Sequence, residues 1–243
     1  MTYCVGMKID RGLVFMSDTR TNAGVDNIST FRKMRIWEQP GERVVVLMSA
    51  GNLATTQAVV SLLDERTKAA AERAPTLLEA PSMFQIARIV GDTVKEVIAQ
   101  SAPAGQTADA AFNASFILGG QVKGSEPRLF MIYPEGNFVE CSDDTPFFQI
   151  GETKYGKPII VRAYDRAMSF AETVKLLMVS FDSTLKSNLS VGLPLDLAFY
   201  EKDSFKIGLK RRIGADDPYY RSVSEGWSDA LKAAFQSLPD FIE

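Results

Sequence analysis

The sequence of 243 residues contains no histidine. That absence excludes every Ser-His-Asp and Cys-His arrangement, every histidine-ligated metal site and any imidazole general base. A hydrolase built from this chain must draw its base from an amine or a carboxylate. Cysteine is scarce as well: Cys4 and Cys141 are the whole complement, enough for one disulfide. With no secretory signal in view, two reduced thiols are expected. Neither sign of charge predominates, since Lys and Arg total 27 against 30 for Asp and Glu, a formal net charge of −3. Neither nucleic acid nor an anionic membrane finds an electrostatic footprint in such a balance. The longest runs of large apolar residues, Val44 to Met48 and Leu129 to Tyr133, are five residues each. Spanning a bilayer takes about 20, so no transmembrane segment is expected. The start, Met1-Thr2-Tyr3-Cys4-Val5, alternates as a strand would and has no basic stretch followed by a signal-peptide core, which points to a cytoplasmic protein.

What is present suits a globular fold: 46% of residues are hydrophobic and 23% charged, enough to bury a sizeable core in a single domain over 1–243. Thr2 to Ile9 and Gly12 to Asp18 read as two strands of a tight hairpin turning at Asp10-Arg11, and Phe31 to Glu38 as a third strand. Arg43 to Ala50 contains an unbroken apolar run, as expected of a strand covered on both faces, and a helical pattern follows from Gly51 to about Arg73. Met83, Ala87, Val90, Val94 and Val97 mark the buried face of a helix from Ser82 to about Ala102, and 101–109 reads as a loop. Strands are predicted at Ala114 to Gly119, Arg128 to Tyr133, Asn137 to Cys141, Phe147 to Ile150, Leu195 to Glu201 and Ser204 to Arg211, with a helix at Phe170 to Lys186. An amphipathic C-terminal helical extension covers about 219–243. Clustered strands and clustered helices indicate an α+β fold of antiparallel sheets with helix layers, not an alternating parallel one.

One base without histidine lies at the start of the chain. Removal of the initiator methionine before a small residue leaves Thr2 with a free α-amine, whose reference pKa of about 7.7–8.0 lets it accept a proton from the threonine hydroxyl. With Ile9 opposite Gly12 in the hairpin, Thr2 falls near Thr19, beside Asp18. If the third strand pairs antiparallel with the second after the loop Thr21 to Thr30, Asp18 and Lys33 face one another at the same end. There a lysine lowers the cost of an alkoxide on Thr2, and Asp18 orients the lysine. The competing reading is a solvated charge ladder with Arg20, Arg32 and Arg35. Gly51, ending the most hydrophobic strand ahead of a helix, either offers its N–H to a developing oxyanion or is simply a strand-to-helix turn. Cys4, on the same strand face as Thr2, is a weaker rival nucleophile for want of a partner base.

Thr2, Ser17-Asp18-Thr19-Arg20, Lys33 and Ser49-Ala50-Gly51, in this order and spacing, resemble proteasome β-subunits and HslV among the N-terminal nucleophile hydrolases. Over its whole length the chain is similar to the bacterial proteasome-related Anbu family. That likeness includes Ile150-Gly151-Glu152-Thr153-Lys154-Tyr155-Gly156-Lys157-Pro158 and Ser187-Asn188-Leu189-Ser190-Val191-Gly192. The resemblance implies a four-layer αββα sandwich and peptide hydrolysis through a threonyl ester, with neither cofactor nor metal. It makes Thr2 the nucleophile and its amine the base, has Asp18 and Lys33 tune the site, and assigns the oxyanion N–H to Gly51. It places Arg20, Ser187 and Ser190 in supporting positions, and lines the specificity pocket with Thr21, Phe31, Ser49 and Leu53. Those four are uncharged, so an apolar preference over an acidic one is expected.

Two departures from the proteasome pattern stand out: Ser187 occupies the position of an acid before Ser190, and Glu152 that of a serine after Gly151. Peptides or unfolded proteins are the expected substrates, and a homo-oligomer of about twelve subunits in an open ring or spiral the expected assembly. Any ATPase partner is left unassigned. Trp227, Leu231, Ala234, Phe235 and Leu238 share one face of the final helix, to be covered either by the chain's own core or by another subunit. Two alternatives remain: an amidohydrolase of the same fold acting on a small non-peptide amide, and a catalytically lapsed scaffold subunit, against which the presence of both Asp18 and Lys33 weighs.

Overall fold

In a computed structural model, residues 2–22, 28–68, 76–101 and 112–241 are described. The first hairpin, β1 (Tyr3–Ile9) and β2 (Gly12–Asp18), runs in the expected register from Ile9↔Gly12 to Cys4↔Ser17. A short ribbon follows, β3 (Arg20–Asn22) with β4 (Ile28–Thr30), and then β5 (Met34–Gln39) and β6 (Arg43–Gly51). Two helices come next, α1 (Leu53–Lys68) and α2 (Met83–Ser101), followed by β7 (Ala114–Val122), β8 (Arg128–Ile132), β9 (Phe138–Glu140) and β10 (Phe147–Gly151). The chain continues through α3 (Lys157–Ala163), α4 (Phe170–Ser187), β11 (Leu195–Glu201), β12 (Ile207–Ile213) and α5 (Pro218–Gln236). Beyond Ser101, the segment read as a loop falls outside the described residues up to 109, as do the last residues of the helix predicted to run to Arg73. Among the described residues no helix is long and apolar enough to cross a membrane.

The strands form two antiparallel five-stranded sheets, ordered β10-β1-β2-β11-β12 and β5-β6-β7-β8-β9. β6 shows why its apolar run is unbroken. Val45 and Leu47 face a core shared with Val59, Leu63, Val90 and Val94 of α1 and α2, while Val44, Val46 and Met48 face Leu13, Phe15, Ile117 and Leu129 between the sheets. The outer face of the first sheet, through Tyr3, Val5, Met7, Val14 and Met16, packs on Leu177 and Phe181 of α4 and Tyr220 of α5. Three apolar layers between four structural layers make the αββα sandwich. The helix α4 is set by a capping box in which Ser169 and Glu172 satisfy each other's backbone N–H groups.

One expectation is corrected here. The third strand does not pair with the second: β2 lies between β1 and β11, and β5 is an edge strand of the other sheet. The connection read as a loop holds the β3–β4 ribbon, whose three-residue strands are too short to show a period of two. The C-terminal stripe, open in the sequence to either the chain's own core or another subunit, is left largely uncovered by that core. α5 is anchored at its start, where the Asp217 side chain accepts from the Tyr220 N–H and the Tyr220 hydroxyl meets Asp182 Oδ1 at 3.2 Å. Farther along, Leu231, Phe235 and Leu238 are 50%, 77% and 64% exposed.

Candidate active site

Thr2 precedes β1 and is buried, its relative exposure only 8%. Its carbonyl accepts from the Glu152 N–H at 2.6 Å. Gly151 makes this approach feasible: its φ is +85° and a Cβ there would sit 1.9 Å from the Thr2 carbonyl oxygen, a position open to glycine alone. The end of β10 is thereby pressed against the start of β1.

Asp18 ends β2 and is completely buried. Its Oδ1 accepts from Lys33 Nζ at 2.6 Å and from the Tyr3 N–H at 3.0 Å, while Oδ2 accepts from the N–H groups of Arg20 at 3.2 Å and Gly192 at 3.4 Å. Burial pushes the carboxyl up from its ordinary value. The Lys33 charge and the hydrogen bonds from Lys33 and from the Tyr3 and Gly192 backbones pull the other way. Lys33 Nζ donates a second bond, to the Arg20 carbonyl at 2.6 Å, and the Lys33 carbonyl accepts from the Ser49 N–H at 3.0 Å. Lys33 immediately precedes β5, so the ion pair joins one sheet to the other. The convergence expected from strand pairing is reached by stacking the sheets face to face.

A cleft of about 960 Å³ opens above this pair, lined by Thr2, Lys33, Gly51 and Gly151. Gly51 ends β6 with φ +117°, where a Cβ would come within 2.3 Å of the Asn113 carbonyl oxygen, so a side chain is barred on both counts. The turn into α1 continues through Asn52, whose Oδ1 accepts from the Thr55 N–H at 3.0 Å. Of the predicted pocket residues, Thr21, Ser49 and Leu53 line the cleft; Phe31 is not among its lining residues, being held by its backbone N–H on the Thr19 carbonyl at 2.8 Å. The lining is not charge-neutral either. Among the described residues Arg32, Lys33, Arg35 and Lys210 face it against one carboxylate, Asp64, a bias at odds with the expected apolar preference.

The supporting positions fare unequally. Arg20 Nη1 donates to the Leu189 carbonyl at 2.9 Å, and its guanidinium lies against Gly192, where a Cβ would sit 2.1 Å from Nε. The loop after α4 is thus fastened beside Asp18. Ser190 contributes its N–H to Asn188 Oδ1 at 2.9 Å. Ser187 does not reach the site: it is exposed on the last turn of α4 and its hydroxyl bonds back to the Ser183 carbonyl at 2.8 Å. Glu152, noticed in the sequence only as a departure, is buried and joins β10 to that loop, its Oε2 accepting from Asn188 Nδ2 at 2.9 Å. No local signal marks that link, because its partners are 36 residues apart. Cys4 is fully buried with its thiol directed at the Ser49 carbonyl, and burial pushes the thiol far up, which removes it as a rival nucleophile. Among the described residues no group of three or more His, Cys, Asp or Glu is placed to hold a metal ion.

The sandwich, with a threonine at the start of its first strand and a buried Asp-Lys pair under the cleft, defines a proteasome-type subunit. Consistent with that class, a family model described as proteasome subunit matches residues 2–193. The chain belongs to this family and, within it, to the Anbu, or ancestral β-subunit, group. An Anbu (Gly-1) mutant from Hyphomicrobium sp. strain MC1 is 55% identical, with all of both chains covered and a TM-score of 0.92. Anbu from Yersinia bercovieri is 48% identical over 99% of each chain, with a TM-score of 0.93. A structure described as a helical assembly of the Anbu complex from Pseudomonas aeruginosa is 43% identical over 99% of this chain and 98% of that one, with a TM-score of 0.92. Comparison with curated proteins finds no match.

Proposed function

We propose that the chain is a threonine peptidase whose nucleophile is Thr2, exposed by removal of Met1. The observation that carries this reading is the buried Asp18–Lys33 pair, 2.6 Å apart, with Lys33 lining the same cleft as Thr2 and Gly51. In this mechanism the freed α-amine of Thr2 takes the proton from Oγ1 as that oxygen attacks the substrate carbonyl. Lys33, held by Asp18, supplies the positive charge that eases formation of the alkoxide. The Gly51 N–H holds the tetrahedral oxyanion. On collapse, the amide nitrogen leaves with the proton carried by the ammonium, and Thr2 remains as an ester. Water, deprotonated by the amine, hydrolyses the ester and restores the hydroxyl.

Intact-mass measurement of the native protein tests the first requirement. The expected mass is that of the chain without Met1; a retained Met1, which ties up the Thr2 nitrogen in an amide and so removes the base that activates the hydroxyl, would overturn the reading.

The same reading extends to location and assembly. The peptidase works in the cytoplasm on peptides or unfolded protein, as a homo-oligomer of about twelve subunits, self-compartmentalising or in an open ring. Its relative from Pseudomonas aeruginosa is described as a helical assembly, and the exposed Leu231, Phe235 and Leu238 offer an uncovered apolar face. Light scattering coupled to size exclusion should give a mass many times 26.7 kDa. A stable monomer at micromolar concentration would defeat the assembly.

A further inference from the structure

The cations of the cleft are unequally compensated. Lys33 is paired with Asp18 at 2.6 Å, and Arg35 with Asp64 at 2.9 Å. Arg32 and Lys210, both exposed on the lining, have no carboxylate partner among the described residues. The contrast is clearest on β12, where three cations follow one another. Arg211 holds Asp217, and Arg212 grips both oxygens of Asp196 at 2.7 and 2.8 Å; Lys210 alone is left over. Arg32 arrives from just before β5 and Lys210 from β12, each an edge strand of its own sheet. Two uncompensated cations therefore converge on one concavity from opposite sheets, in a chain whose net charge is −3. Low-dielectric walls concentrate the field of charges placed in this way, and the field here attracts anions. The lining also holds the apolar Met34, Ile36, Leu53 and Val60, a surface suited to peptide side chains.

We infer that the cleft selects peptide segments bearing carboxylate side chains, through Arg32 and Lys210. This rests on the reading of the cleft as a peptide site, and it departs from the apolar preference expected from the uncharged Thr21, Phe31, Ser49 and Leu53. The carboxylates of the bound segment supply the counter-charges that the described residues do not.

The test uses the assembled Thr2→Ala protein, which binds without cutting, and two fluorescein-labelled peptides identical except that one carries aspartate where the other carries asparagine. Fluorescence polarisation should show the aspartate peptide binding about tenfold more tightly at low salt, the scale of two exposed ion pairs. The advantage should shrink toward equality near 0.5 M salt. Arg32→Gln combined with Lys210→Gln should erase it, bringing the aspartate peptide's affinity to that of the asparagine peptide, while Lys210→Glu should shift preference toward a lysine-bearing peptide. Equal binding of the two peptides by the Thr2→Ala protein, a comparison that needs no further variant to fold, would overturn the inference. So would an advantage that survives the double substitution. Hydrolysis assays with the unsubstituted protein separate the two readings: cleavage without discrimination defeats the selectivity alone, and discrimination in binding without any cleavage defeats the peptidase reading alone.

Discussion

Thr2→Ala should lower hydrolysis by about 10⁶-fold, the scale on which a hydrolase loses kcat with its nucleophile. Thr2→Ser should keep a measurable part of the activity, because both the hydroxyl and the α-amine survive. The difference between these two variants separates a missing nucleophile from a disturbed fold, since both shorten the side chain at a position that is already buried. In the unsubstituted protein and in Thr2→Ser, kcat/KM should climb with pH as the amine loses its proton. The ascending limb should lie somewhat below the reference value of about 7.7–8.0, because the nearby Lys33 charge disfavours a second cation. Turnover of purified Thr2→Ala at the unsubstituted rate would end the assignment, and a profile flat from about pH 5 to 9 with chemistry limiting would remove the amine from its role as base.

Lys33→Ala should lower kcat by about 10²–10³-fold, as expected when a preorganised charge is withdrawn from the reacting centre. It should also destabilise the protein by about 3–5 kcal/mol, because Asp18 would be left buried without its cation. The pH dependence of that loss has a definite sign. Burial already raises the Asp18 carboxyl in the folded state, and removing Lys33 takes away the chief opposing influence. The folded variant then binds a proton that the unfolded chain releases above its reference value of about 3.9. Stability is therefore greatest below that value and falls as pH rises toward the folded-state value. The thermal midpoint of Lys33→Ala should accordingly increase as pH is lowered from 7 toward 4.5. A midpoint matching the unsubstituted protein at pH 7 would contradict the buried-pair energetics.

The parts of this site that lay open in the sequence are the parts set by short-range rules. A two-residue turn at Asp10-Arg11 fixes the register of the first hairpin, so the end of β2 could be placed beside Thr2 by counting. The unbroken run in β6 announced a strand buried on both faces. The partner of Asp18 was also correctly expected, yet by the wrong route. The interval between β2 and β5 leaves one sheet, forms the β3–β4 ribbon and enters the other, and nothing in the residues from Thr21 to Thr30 distinguishes that path from a simple hairpin loop. Phe31 is not among the lining residues, although Thr21, Arg32 and Lys33 on the same excursion are. Long-range placements were illegible for a plainer reason. Lys210 joins the cleft from a strand far along the chain, Glu152 finds Asn188 across the gap between β10 and α4, and α5 turns an apolar stripe outward. Each depends on how layers stack, which a single sequence does not encode as a pattern.

The contact between Asp18 and Lys33 binds together the two halves of the sandwich. Asp18 also collects the N–H groups of Tyr3, Arg20 and Gly192, so a single carboxylate secures the chain start, the exit from β2 and the loop after α4. In the proposed mechanism, chemistry and architecture consequently share the same pair of residues. In a lineage that had ceased to cut peptides, selection on folding alone would keep both in place, whereas Thr2, whose structural contact is made through its backbone carbonyl, would be free to drift. In such a lineage the pair would record the fold and the side chain at position 2 the chemistry; in this chain Thr2 and the paired Lys33 are present together in one cleft.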